Sequence, residues 1–75
     1  MINKEIEADF YAGNRSDKLP FVVNDSVEIL QGDYKGRAAA VISAENVEPE
    51  TTYLIELGDG SGDLVLPAKW LKKIS

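Results

Sequence analysis

Asp59-Gly60-Ser61-Gly62-Asp63 sets oxygen-bearing side chains at alternate positions, as the first half of a calcium-binding loop does. Such a loop next requires a sharp-turn glycine and later a bidentate glutamate, and this chain has Leu64 and Trp70 at those places. Gly and Asp are also what tight turns select, so the stretch reads as the turn of a β-hairpin. Glu45, Glu48 and Glu50 form a second acidic group, but their spacing picks out no general acid–base pair and suits a solvated loop. The chain has no Cys and no His, which removes disulfides, thiolate or imidazole zinc sites, and Ser-His or Cys-His nucleophilic pairs. No Gly-rich phosphate loop follows a strand. The expectation is a protein without catalytic residues, metal or cofactor.

The remaining chemistry is that of contact. Lys69, Lys72 and Lys73, with Lys35 and Arg37, are the one basic grouping, and Tyr34 and Trp70 fall among them. Cations interleaved with aromatic rings could hold nucleic acid. Against this, eight Lys and Arg face thirteen Asp and Glu, a net charge of −5, whereas phosphate binding draws on a basic surplus. The acidity is uneven. Residues 1–20 carry three positive and four negative charges, and residues 21–75 carry five and nine. Trp70, the single Trp, admits two readings beside Pro67 and Leu71: core packing, or a half-exposed contact platform.

These residues need a scaffold, and 75 residues allow one small domain. Ile2, Ile6 and Phe10 recur every fourth position and predict a helix over 3–12. Asn3 suits its N-cap, Glu5 and Glu7 the positive end of its dipole, and Gly13 its C-terminal stop. A helix this short is marginal alone, so Ile6 and Phe10 must dock on the rest of the chain. Residues 14–20 read as a polar connector.

From Phe21 onward the pattern shortens to period two. Val27 and Ile29 mark a first strand, Ala38 to Ile42 a second, Tyr53, Ile55 and Leu57 a third, and Leu64 to Leu66 a fourth. Gly32-Asp33 and Gly36 bracket one turn, Glu45 to Thr51 makes a loop, and residues 58–62 close a hairpin. Pro67 ends the fourth strand because it cannot donate to a ladder. Ala68 to Leu71 then fits a single helical or 3₁₀ turn, and Lys72 to Ile74 a last strand. Five short strands predict an all-β domain, a small five-stranded barrel over 21–75 with the helix packed across it.

Two stretches resemble known families. Val27-Glu28-Ile29-Leu30-Gln31-Gly32-Asp33-Tyr34-Lys35-Gly36-Arg37 resembles the KOW motif of ribosomal proteins and NusG-type transcription factors, an apolar strand followed by a Gly-x-aromatic-Lys-Gly turn. Ala39 stands where that motif carries a further Gly. Leu66-Pro67-Ala68-Lys69-Trp70-Leu71-Lys72-Lys73-Ile74 is similar to the end of SH3-like barrels, where a 3₁₀ turn precedes the last strand. The two cover Val27 to Ile74 and both imply a five-stranded SH3-like barrel. The SH3 resemblance implies that Pro67 and Trp70 line a groove for a proline-rich protein ligand. The KOW resemblance implies a ribosome or RNA role for Lys35, Arg37, Lys69, Lys72 and Lys73.

Fold alone does not assign function. The leading expectation is a non-enzymatic protein-interaction module, an accessory subunit binding through Tyr34, Pro67 and Trp70. A KOW-type ribosome- or RNA-associated protein is the alternative, and a small immunity or inhibitor protein that masks a basic toxin is a third. The longest wholly apolar runs are five residues, against the roughly 20 that a membrane-crossing helix needs. With a charged N-terminus as well, the expected location is cytoplasmic, with no membrane partner.

Overall fold

The computed structural model describes residues 3–74. Helix α1 spans Lys4–Ala12 and begins as expected: the Asn3 side chain accepts a hydrogen bond from the Ile6 N–H at 2.8 Å. It ends at Gly13, whose φ of 81° is the left-handed shape that stops helices. Of its apolar stripe, Phe10 is fully buried and Ile6 packs against the core. Ile2 lies outside the described residues.

The strands are β1 (Ser26–Ile29), β2 (Ala38–Asn46), β3 (Thr52–Leu57), β4 (Asp63–Pro67) and β5 (Leu71–Lys73). They form one antiparallel sheet in the order β4-β3-β2-β1-β5. Consecutive strands pair down the chain, and β5 returns to the free side of β1. A 3₁₀ turn over Ala68–Trp70 makes that return. It follows Pro67 immediately, so β4 stops where expected but not for want of a ladder donor: the Pro67 nitrogen lies on the open side, and the Ala68 N–H still donates to the Thr51 carbonyl at 2.9 Å.

Alternation sorts the side chains into two faces. Val27, Ile29, Ala39, Val41, Ala44, Tyr53, Ile55, Leu57 and Leu71 point into the core, which Phe10, Leu19, Phe21, Val22 and Val47 complete. Ala39, where the KOW motif has Gly, is buried between register partners Val27 and Leu57. Strand β2 carries two register shifts, between Val41 and Ser43 and between Ala44 and Asn46. Each adds a residue to β2 with none on β3, so Ala44 still turns inward and the strand bends.

Three expectations need correcting. The loop read as Glu45 to Thr51 is shorter, because β2 continues through Asn46, and Val47 just beyond it is buried. A loop can bury an apolar side chain while its backbone stays outside, and period-two patterning is blind to that. The period-two region begins at Ser26, not Phe21: Phe21 and Val22 are buried in the turn leading into β1. The polar connector also buries one residue, Leu19.

Two polar side chains hold this lead-in segment. The Tyr53 hydroxyl, fully buried, accepts from the Phe21 N–H at 3.0 Å and donates to the Phe21 carbonyl at 2.6 Å. Burial pushes this phenol up to about 12, with the Asp25 charge adding to the rise against the lowering contact to Phe21. Asp25, the one buried acid among the described residues, accepts from the Val22 N–H at 3.0 Å and from Arg15 at 2.6 Å. Its backbone joins the sheet as well, since its carbonyl accepts from the Val41 N–H at 2.9 Å.

Candidate contact surface

Strand β1 leads into a turn built by glycine. The Ile29 carbonyl accepts from the Gly36 N–H at 2.7 Å, and the Arg37 carbonyl accepts from the Ile29 N–H at 2.9 Å, so the chain reverses between them. Gly32 and Gly36 both sit at φ 88°, a region costly for side-chain-bearing residues. The turn thereby presents Tyr34 on the surface, 37 % exposed, with the Arg37 guanidinium 5.9 Å from its ring centroid.

The 3₁₀ turn after β4 delivers Trp70 to the same place. The Leu30 N–H donates to the Trp70 carbonyl at 2.7 Å, which ties the two turns together. The indole lies on the α-carbon of Gly32, where a Cβ would stand 3.0 Å from Trp70 Cζ3. Trp70 is half-buried, and one edge of its ring packs on the turn. Pro67 is half-buried too, opposite Thr52 in the ladder. Trp70 and the Tyr34-bearing turn therefore share one end of the sheet, though the two rings are not in contact. Gly32 was legible in the sequence as a turn residue but not as the seat of the indole, because a glycine's far-side neighbour leaves no trace in its own spacing.

The five cations are distributed over this end and along β5, and they are not equivalent. Arg37 forms an ion pair with Asp59 of the β3–β4 turn. Lys69 lies 3.4 Å from Glu50. Lys72 stands opposite Glu28 in the β1–β5 register, a favourable cross-strand arrangement of charge. Lys73 is opposite Val27, and Lys35 is exposed in the turn.

The calcium-like stretch behaves as a hairpin turn. Asp59 accepts from the Ser61 N–H at 2.9 Å as well as pairing with Arg37, and Gly60 and Gly62 both have positive φ. Among the described residues no cluster of acidic side chains is arranged to hold a metal ion, and no helix is long and apolar enough to cross a membrane.

No protein-family model matches this chain, and no curated protein or solved structure matches it.

Proposed function

We propose that this chain is a non-enzymatic SH3-like, KOW-like five-stranded barrel, and that it acts in the cytoplasm as a protein-interaction module within a larger complex. Its contact surface is made by the β1–β2 turn and the 3₁₀ return, with Tyr34 on the first, Trp70 on the second and Pro67 just before it. The observation that supports this best is the half-buried Trp70, its indole seated on Gly32, beside a turn presenting an exposed tyrosine. Aromatic rings that are rigidly held yet partly exposed are what protein contacts use most heavily. The charges support a protein partner over RNA. Arg37 and Lys69, two of the five cations that would meet phosphates, face carboxylates of this same chain.

The strand order and the 3₁₀ turn before β5 support the barrel reading, with β1 shared between β2 and β5. Affinity capture with the wild-type chain, Tyr34→Ala and Trp70→Ala tests the function. Specific protein partners should be recovered by the wild type and lost with either variant, each first shown to be folded. Equal recovery by Trp70→Ala would overturn the reading. Recovery of RNA, with affinity falling steeply as salt rises, would replace it with the ribosome or RNA role.

A further inference from the structure

Strand β4 ends the sheet, and its far side has no strand neighbour among the described residues. The ladder fixes which of its groups face that side. The Leu57 N–H donates to the Gly62 carbonyl, and the Ala68 N–H donates to the Thr51 carbonyl, both at 2.9 Å. Antiparallel alternation then directs the backbone groups of Leu64 and Leu66 toward β3 and those of Asp63 and Val65 outward. Pro67 points its carbonyl outward, and its missing donor falls on the open side.

Side chains on both faces of this edge are incompletely covered. Leu64 and Leu66 point inward but are only partly buried, while their register partners Ile55 and Tyr53 are fully buried. On the outer face Val65 is 56 % exposed beside its partner Leu54. Next to them Glu56 and Asp63 stand directly opposite each other, both exposed, and neither meets a cation among the described residues. Like charges in register are unfavourable, so this pair gains most from a cation brought by something else.

We infer that the β4 edge is a strand-acceptor site for an extended, basic segment of a partner protein. Such a segment adds as a sixth strand, pairing with the outward N–H and C=O of Asp63 and Val65. Its inward residue opposite Leu64 is apolar and covers the half-open core. On the outer face it places an aliphatic side chain opposite Val65 and a Lys or Arg opposite Asp63. A second copy of this chain is a poor occupant. Two β4 strands related by a two-fold at Val65 would set Pro67, without a donor, against Asp63, and would join two chains of net charge −5. The edge is closed to its own kind and open to a strand of opposite charge. The site rests on Asp63 and Val65 and not on Tyr34 or Trp70, and stands if that proposal fails.

A capped heptapeptide, Lys-Thr-Val-Val-Val-Arg-Ser, is a suitable probe, titrated into the ¹⁵N-labelled chain while amide exchange is followed. The expected result is saturable shifts at Asp63 and Val65, with the Val65 amide slowed about tenfold or more at saturation. Glu56→Gln with Asp63→Asn should weaken binding roughly two- to fivefold. Val65→Pro removes the outward donor without touching the β3 ladder, and should abolish the shifts while the remaining spectrum stays native. No shift at Asp63 and Val65 at millimolar peptide would overturn the inference. So would equal binding of a peptide with Glu in place of Lys and Arg, or concentration-dependent self-association of the chain through β4. Shifts confined to residues 32–36 and Trp70 would also refute it, while favouring the other surface.

Discussion

The indole of Trp70 rests on Gly32, so closely that a single methyl group on that α-carbon would stand 3.0 Å from Cζ3. Gly32 is held there by its own φ of 88° and by the Lys35 N–H, which donates to its carbonyl at 3.2 Å. Gly32→Ala therefore meets two penalties, backbone strain and a clash. The expected loss is on the order of 2 kcal/mol, read as a lower urea midpoint with an altered Trp70 emission. In a Trp70→Ala background the same change should cost about 1 kcal/mol less, since only the backbone strain remains.

Tyr53 predicts a response to alkali. Its phenol titrates near 12 in the folded chain, against about 10 when unfolded. Above pH 10 the unfolded state loses the proton first, so stability falls as pH rises from 10 toward 12. Below pH 10 the contribution is complete, on the order of 2 kcal/mol. Urea denaturation of the wild type and Tyr53→Phe across pH 8–12 checks this. The variant should start less stable, lacking both contacts to Phe21, and the gap should narrow above pH 10.

Asp25 is the polar counterpart. Asp25→Ala leaves the Val22 N–H unpaired in a buried place and costs about 2–3 kcal/mol. Arg15→Ala, by contrast, removes a half-exposed partner and should cost about 1 kcal/mol. Thermal denaturation of both variants separates these outcomes. Equal losses would show that the carboxylate works through Arg15 and not through the turn.

Phe10 is where α1 is fastened: it stacks on Tyr53 at 6.2 Å, and its carbonyl accepts from the Val23 N–H at 3.3 Å. Phe10→Ala should cost about 3–5 kcal/mol, a large share of what a domain this small has. Hydrogen exchange would show α1 losing protection first. Phe10→Leu, which keeps most of the volume, should retain the helix.

Local signals survived into the structure best. Asn3 and Gly13 cap α1, Pro67 ends β4, and the residue 58–62 turn joins β3 to β4, because each of these depends on residues within a few positions. The five strands were legible for the same reason. What escaped reading depends on distance along the chain. Tyr53 reads as one more inward strand residue, yet its hydroxyl serves a backbone 32 positions earlier. Asp25 carries no local sign of the Arg15 that closes on it ten positions earlier, and the burial of Phe21 and Val22 ahead of the first strand has no period to announce it. At the proposed contact surface, Tyr34 and Trp70 were recognisable by type. That Gly32 would seat the indole, and that Arg37 and Lys69 would be taken by Asp59 and Glu50, is decided by which loops the sheet order brings together.

The pairing of β1 with β5 has a consequence for synthesis. A chain emerging from the ribosome in order displays Ser26–Ile29 long before Leu71–Lys73 exists to cover its outer side. Throughout that interval β1 can pair only with β2, and its free backbone groups are open to any neighbouring nascent chain. Glu28, central in that short strand, is a charge of the kind that discourages such pairing. When β5 arrives, the residue that takes its place beside Glu28 is Lys72, so the open side of β1 is closed by a strand whose charge is opposite to its own.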